Sequence, residues 1–405
     1  MTRLRRRGQY ELARPVVRGM GAALAGLGLA VLAVVYAIAL WRMPDWMHQH
    51  DPKDRHNARL LVVSAGGAIV VAVSLLYTAR SYRLSHRGQV TDRFTKALER
   101  LSSTDIDARL GGIHALAHVA ADSRPHHDDV VEVLEAFVRR RAPRAHRDDG
   151  PTLAPRPRLP EWPDSDVQAA LTALGRRPQR PERRTLDLSV LHLAGARLAG
   201  MDLSAVELRL TNLAGANLAG ANLKRANLVA ANLSGAKLEG ATLVNAFLMS
   251  VDLTSANLEG ADLRGTGVDG TLGGANLRGA DLRGAGLGGV HLSFATLVRA
   301  NLKEADLRGA RLWNADLSSA NLKGANLQGA DLMEAYLWGA DLAHADLAHA
   351  DLRDAILKEA DLRGADLTHA DLRAADLRGA DLREVTGPSE QEIRAVVSVD
   401  EYSRF

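Results

Sequence analysis

Two histidines four residues apart form the part of this sequence that comes closest to a metal site. His114 and His118 would lie on one face of a helix, where two imidazoles can reach the same ion. Asp122 and the His and Asp residues at 126–129 offer further ligand atoms downstream. Position 115 is alanine, so the general-base glutamate of the helical metalloprotease motif is missing. We interpret the segment as polar helix surface, keep His114 and His118 as candidate metal ligands, and predict no bound cofactor.

The rest of the composition offers little catalytic chemistry. The 405 residues include no cysteine, which excludes disulfides, thiolate zinc sites and cysteine nucleophiles. Aromatic residues make up 4% of the chain and glycine occurs 36 times, which indicates a chain built from small residues plus one repeated apolar type. No catalytic constellation is found, so we predict that the protein is not an enzyme.

Charge is spread unevenly along the chain, although the net charge is only +3. Residues 186–384 carry 25 acids and 19 bases, a net of −6, and residues 385–405 carry four acids and two bases, a net of −2. Residues 1–185 therefore carry a net charge of +11. A basic N-terminal half and a mildly acidic C-terminal half predict different neighbours for the two halves.

Two uncharged spans near the N-terminus predict a membrane hairpin. Residues 19–41 and 60–79 hold 23 and 20 uncharged residues, and each is long enough to cross a bilayer as a helix. Lys and Arg number six in 1–18, four in 42–59 and five in 80–98. This bias predicts that 1–18 is a basic cytoplasmic arm, that 42–59 is an external loop, and that both termini are cytoplasmic. A cleaved signal peptide is the alternative for the first span, and it leaves the later domains cytoplasmic as well.

Three segments then connect the hairpin to the C-terminal half. Helical periodicity runs through 80–142, and its stretch "ARLGGIHALAHVA…VVEVLEAFVRR" resembles one helix pair of the HEAT type. Residues 143–163 contain six prolines and several arginines, which predicts a stiff, extended linker. Residues 164–185 are expected to hold a short capping helix that stops near Gly175, followed by a basic connector.

A five-residue repeat dominates residues 186–384. Its consensus is Ala-(Asp/Asn)-Leu-x-(Gly/x), as in "ADLRGADLTHADLRAADLRGADLRE". A period of five would spread the leucines round every face of an α-helix and alternate them between the two faces of a strand. The chain must therefore turn once per unit to keep each leucine inside, with the small alanine as a second inward position and glycine at the corner. This pattern predicts a solenoid in which each coil contacts only its neighbours.

The repeat resembles the pentapeptide repeat family. That resemblance implies a right-handed four-sided β-helix with four units per coil, and therefore about ten coils here. The unit within 268–277 is one residue short, so we expect a kink or bulge there, with a functional notch as the alternative. Residues 385–405 are predicted to cap the open end, starting with a capping box of Ser389 and Glu392. A homodimer contact at this end is a competing interpretation.

Residues 20 apart should stack in columns on the outside of such a coil. Asp341, Asp361 and Asp381 would form one column, with Arg363 and Arg383 beside it. A second column would contain the following pair: His349 and His369. We regard these seven side chains as a candidate interaction surface. An aspartate ladder is nevertheless structural by default in this family, and no nucleophile accompanies it.

These features predict a membrane-tethered scaffold without catalytic activity. It would be a multi-pass protein of a bacterial cytoplasmic membrane, in contact with lipid through its hairpin, and would present the repeat domain to a protein partner that the sequence does not identify. Some members of the family are acidic rods that mimic DNA and bind gyrase, so an inhibitor of that kind is the alternative. Residues 186–299 hold nine acids and nine bases and residues 300–384 hold 16 and 10, so the acidic excess lies in one half and gives only weak support for mimicry. We do not expect a nucleic-acid partner. An unrecognised enzyme would require a metal at His114 and His118.

Overall fold

The computed structural model describes residues 35–38, 42, 52–145 and 159–405. By its internal contacts the chain divides into two compact units, Met1–Gln89 and Val90–Phe405. The predicted basic arm, most of the first apolar span at 19–41 and part of the loop at 42–59 lie outside the described residues. The same holds for most of the proline-rich linker.

The first unit is described mainly through the long helix α1, Pro52–Leu101, which continues into the second unit. It contains the predicted second span at 60–79. Among the described residues, one helical stretch is long and apolar enough to cross a membrane by length and composition, namely Val63–Leu101. Its most apolar window has a mean hydropathy of 1.5 and none of it is buried. Val70, Val73 and Leu76 are examples of exposed apolar side chains in this stretch.

Three further helices form a small bundle in the second unit. They are α2, Ile106–Asp122; α3, His127–Arg141; and α4, Ser165–Gly175, with a 3₁₀ turn at Arg124–His126 between the first two. Asp105 caps α2 by accepting hydrogen bonds from the next backbone amides. The double glycine inside α2 permits close packing, because a Cβ at Gly112 would lie 2.9 Å from the carbonyl oxygen of Ala97 in α1.

A charge cluster around a buried aspartate joins the three helices. Arg109 Nε of α2 donates to Asp166 Oδ2 of α4 over 2.6 Å, and Arg141 Nη2 of α3 lies 3.3 Å from the same oxygen. The Asp166 carboxylate is fully buried. Arg109 also donates to the carbonyls of Ser103 and Thr104. We call the three charged residues, Arg109, Arg141 and Asp166, the bundle clamp.

Helix α4 contacts the first coil of the repeat domain. The Gln168 side chain donates to Arg197 O and accepts from Arg197 N, both over 2.8 Å. Asp202 N donates to Gly175 O, and a Cβ at Gly175 would collide with Met201. Helix α4 thus covers the apolar end of the first coil at Met201. Its polar groups form hydrogen bonds with the backbone N–H and C=O groups of that coil.

The repeats form a stack of coils linked by parallel backbone pairing. Bridges join residues 20 positions apart, as in Asn321 to Asp341, from Asp187 to Thr386 with one interruption. Within a unit the alanine and the leucine point inward; Ala320 and Leu322, for example, are buried. Leu322 N donates to Asp341 O over 2.7 Å, so each coil bonds the next. The predicted solenoid is confirmed, while the count of about ten coils remains a prediction.

The short unit is absorbed by a bulge. Strands β1, Phe247–Asp252, and β2, Gly267–Thr271, pair in parallel with a register shift between Met249 and Val251. The residues paired by a bridge are 19 positions apart at Asn257 and Asn276. The separation is again 20 at Thr271 and His291. A Cβ at Gly270 would collide with the Val251 backbone, so glycine is required where strands β1 and β2 approach each other closely.

The C-terminal tail adds to the last coils. Helix α5, Glu390–Val396, begins with the capping box predicted for Ser389 and Glu392. Ser398 then pairs with Asp376, and Arg404 pairs with Asp381. The tail therefore supplies backbone partners that the final units would otherwise lack.

Candidate interaction surface

The predicted aspartate column exists, but an arginine of the same unit neutralises the charge of two of its three members, Asp361 and Asp381. Backbone bridges join Asp341 to Asp361 and Asp361 to Asp381. Each carboxylate accepts a hydrogen bond from the amide two residues later. Arg363 also grips Asp361 with two parallel bonds, Nε to Oδ1 at 2.8 Å and Nη2 to Oδ2 at 2.6 Å, and Arg383 does the same to Asp381.

The same Asp-Leu-Arg fork recurs in eight units, counted among the described residues. The paired aspartates are Asp262, Asp281, Asp306, Asp351, Asp361, Asp371, Asp376 and Asp381. The arginine lowers the pKa of each of these carboxyls through its side-chain hydrogen bonds. For Asp376 the fork with Arg378, assisted by Lys358, lowers the pKa to about 2. These units therefore present paired charges to solvent rather than bare anions.

The histidine column lies at a different place on the coil. His349 and His369 stack with their ring centroids 5.0 Å apart, at corner positions where the backbone has φ near +59° and +58°. The predicted surface is therefore two separate columns and not one cluster. Neither column brings a nucleophile or an acid–base pair to a shared point.

The histidines of the bundle are not assembled into a metal site. His114 and His118 are exposed on α2. His126 bonds to the Ser123 hydroxyl over 2.8 Å, whereas His127 is buried and lies 3.3 Å from Glu182. Over residues 35–38, 42, 52–145 and 159–405, no group of three or more His, Asp or Glu residues is arranged to hold a metal ion.

Four aromatic residues, missed by the sequence reasoning, lie on neighbouring faces of the coil. They are Phe294, Trp313, Tyr336 and Trp338, and we call them the aromatic corner. The rings of Phe294 and Trp313 meet edge to face with centroids 4.7 Å apart. Phe294, Tyr336 and Trp338 are 56%, 44% and 52% exposed. Trp313 Nε1 is buried and has no hydrogen-bond partner among the described residues.

Coil geometry explains why these residues lie on adjacent faces. Trp313 directly follows an inward leucine, and Phe294 occupies the corner of the preceding coil. Tyr336 and Trp338 flank the inward Leu337, so both rings leave the same face about 7 Å apart along the chain. The backbone of Tyr336 pairs with Asp316 of the neighbouring coil. The result is an exposed aromatic surface on a domain whose other outward positions are mostly small or polar.

Comparison with known proteins identifies the repeat. The family model described as pentapeptide repeats matches eight copies, over residues 192–228, 231–266, 275–314, 314–347 and 345–384. A solved structure, HetL, is 36% identical over 84% of its own length and 46% of this chain, with a TM-score of 0.45. The chain belongs to the pentapeptide repeat family. HetL is a pentapeptide repeat protein involved in heterocyst differentiation regulation, from the cyanobacterium Nostoc.

Other solved pentapeptide repeat proteins are similar over a smaller share. One from the thylakoid lumen of Arabidopsis thaliana is 34% identical over 28% of this chain and 74% of its own, with a TM-score of 0.17. Full-length QnrB1, a plasmid-mediated fluoroquinolone resistance protein, is 23% identical over 44% of this chain and 92% of its own, with a TM-score of 0.22. None of the curated proteins matches the chain.

The aromatic corner could have been predicted from the sequence, because the aromatic residues of the repeats are clustered. Residues 186–384 contain five aromatic residues, and four of them fall between positions 294 and 338. The fifth, Phe247, lies in β1. In a repeat where the outward positions are free to vary, such clustering is the feature that fold requirements do not explain.

Proposed function

We propose that this pentapeptide repeat protein is a membrane-tethered scaffold whose cytoplasmic β-helix binds a protein partner and has no catalytic activity. The observation that carries the proposal is the aromatic corner. Aromatic side chains are enriched in protein interfaces, and large ones exposed together on a soluble surface mark contact sites. The two predicted columns would then be the structural frame beside that site.

The backbone pairing supports the scaffold role. Each unit bonds the coil before it and the coil after it, as when Asp341 N donates to Ala320 O and Leu342 N donates to Asp361 O, over 2.9 and 2.7 Å. Such a domain holds its outward side chains at fixed spacing. A right-handed stack of about ten coils, at roughly 4.8 Å per coil, would be about 48 Å long.

The apolar part of α1 supports the tether. Its exposed apolar side chains have no protein partner to cover them within the described residues, and a bilayer would supply one. In the proposed topology, 19–41 and 60–79 cross the cytoplasmic membrane and both termini stay inside.

The cysteine-free sequence makes that topology easy to test. Tyr402 is 70% exposed, so the variant Tyr402→Cys places a single thiol on the tail. We expect a membrane-impermeant maleimide to label it in inverted vesicles but not in intact cells. Labelling in intact cells would contradict the proposed orientation, and recovery of the protein in the soluble fraction would contradict the tether.

The forks between arginine and aspartate favour a protein scaffold over a DNA mimic. A DNA-like surface needs rows of carboxylates that remain available to a DNA-binding protein. Here the final coils pair their aspartates with arginines at 2.6 Å, as at Asp371 and Arg373. A gyrase inhibitor therefore remains the alternative that the interaction experiment must exclude.

The deciding experiment is co-purification from native membranes. The tagged full-length chain is compared with a form ending at residue 184 and with the double variant Tyr336→Ala/Trp338→Ala. We expect a partner that is recovered with the full chain and lost with both altered forms. Equal recovery with the form ending at 184 would place recognition in the helical segments. Recovery of gyrase in a strongly salt-dependent complex would favour the DNA-mimic alternative.

A further inference from the structure

The aromatic corner is bordered by carboxylates that have no cation partner. Glu334 is exposed and accepts a hydrogen bond from Asn314 Nδ2 over 3.2 Å. Asp316 and Asp331 accept only backbone amide hydrogen bonds, over 3.0 and 3.2 Å. Among the described residues, none of these three carboxylates forms an ion pair, in contrast to the forked aspartates. The backbone of Asp331 pairs with that of Arg311 in the preceding coil.

This combination suits a proline- and arginine-rich segment. Extended proline-rich chains dock on aromatic surfaces because they are already ordered and present apolar rings. A guanidinium stacks on a tryptophan or tyrosine face and also pairs with a carboxylate. Tyr336 and Trp338 supply the faces, and Glu334 and Asp316 supply the charge.

The sequence of this chain contains such a segment. Residues 151–160 read PTLAPRPRLP, with four prolines, two arginines and no acidic residue. The arginines are Arg156 and Arg158. The segment therefore complements the aromatic corner both in chemistry and in sign of charge.

The number of residues between the described ends of the linker is too small to span the distance to the aromatic corner of the same molecule. Ala145 N donates to Val190 O, and His192 Nε2 bonds to Pro160 O, so both ends of the linker are held at the first coil. Fourteen residue steps, from 145 to 159, extend at most about 48 Å, which allows an excursion of about 24 Å out and back. Trp313 lies six coils away, which is about 29 Å at ~4.8 Å per coil. Trp338 is one coil further.

We propose that the aromatic corner binds the proline- and arginine-rich segment 151–160 of a second copy of this chain. The inference rests on the proposed scaffold function, because it names one occupant of the same surface. The partner's arginines lie against Tyr336 and Trp338 and pair with Glu334. The contact is thus a self-association site in the middle of the β-helix, distinct from the C-terminal end.

The test uses the full chain in detergent and a fluorescein-labelled peptide of residues 150–160, with binding followed by fluorescence anisotropy. We expect Trp338→Ala and Glu334→Lys each to weaken binding at least tenfold. Phe247→Ala is the matched control, since Phe247 is 56% exposed but lies outside the aromatic corner, and its binding should stay within twofold of wild type. A peptide with Arg156→Glu and Arg158→Glu should not bind.

Sedimentation of the full chain supplies the second readout. The wild-type chain should associate, and the Trp338→Ala chain should be shifted towards monomer. Equal peptide binding by wild type and Trp338→Ala, or a wild-type chain that stays monomeric, would overturn the proposal. If the co-purified partner needs Trp338 while the peptide fails to bind, this inference falls and the scaffold function stands. If the peptide binds but co-purification recovers only the chain itself, this inference stands and the scaffold function falls.

Discussion

Removing one arginine of the bundle clamp should loosen the helical bundle much more than removing an exposed charge. In Arg109→Met the apolar stem stays, but Asp166 loses the donor that lies 2.6 Å from its Oδ2. The carboxylate is fully buried, so water cannot replace that donor. Breaking a buried pair costs about 3–5 kcal/mol, because one charge is left without compensation. Arg141 remains 3.3 Å away, so we expect the lower end, about 3 kcal/mol.

Hydrogen exchange of the α4 amides is the suitable assay, because it reports on the bundle itself, whereas a global transition would be dominated by the much longer repeat domain. A loss of about 3 kcal/mol corresponds to exchange roughly 150-fold faster in Ser165–Gly175. The control Arg93→Met removes a pair with Asp122 at 3.9 Å, whose side chains are 64% and 53% exposed. Such pairs contribute about 0–1 kcal/mol, so the control should accelerate exchange at most about fivefold.

A double variant separates the buried charge from simple loss of packing. Arg109→Met/Asp166→Leu removes both partners, and we expect it to be less damaging than Arg109→Met alone, because no charge is then left buried without its partner. An Arg109→Met effect no larger than the control would refute the reasoning. So would a double variant whose loss equals the sum of the two single losses.

Three further predictions concern the repeat domain. Leu322→Ala should lower the free energy of unfolding by about 2–5 kcal/mol in urea titrations, while the exposed neighbour Lys323→Ala should change it by less than about 0.5 kcal/mol. Val190→Gly should raise the melting temperature slightly, because a β-branched residue at φ +63° is strained by about 1–2 kcal/mol. Glycine removes this strain, but its greater chain entropy in the unfolded state offsets part of the gain. A lower melting temperature would contradict this prediction. Because the folded-state pKa of Asp376 is lowered to about 2, its contribution to stability is present above about pH 4 and is lost as the pH falls through 2. Asp376→Asn should therefore flatten the melting-temperature curve between pH 4 and 2, and parallel curves would argue against the fork.

Most of the backbone followed from the sequence because the repeat leaves one solution. A period of five forces a turn per unit, and the bridges of 20 residues follow once four units close a coil. The start of α4 after Asp164 and its end at Gly175 were also readable, since an acidic residue precedes the helix and a glycine ends it. The missing residue near Gly270 predicted an irregularity, although not that β1 and β2 would absorb it by a register shift.

Contacts between distant positions were beyond sequence reasoning. The bundle clamp joins Arg109 to Asp166, 57 residues apart, and no local pattern marks that pair. The histidines predicted to lie together do not form one cluster, for a related reason. The i, i+4 spacing placed His114 and His118 correctly on one helix, but the turn at Arg124–His126 sends His126 and His127 to other partners.

The outward positions of a regular repeat carry its specific information, because the inward ones are fixed by the need to fill the coil. Most units supply a small residue and a leucine to the interior, so changes at these positions mainly affect stability. An aspartate that is paired with the arginine two residues later has its charge compensated within the unit. It therefore offers little charge to a binding partner. Tyr336 and Trp338, by contrast, expose their rings to solvent, and Glu334 forms no ion pair among the described residues and accepts a hydrogen bond only from Asn314. Because large exposed aromatic side chains are typical of contact sites, the aromatic corner, and not the aspartate column, is where a partner should be sought.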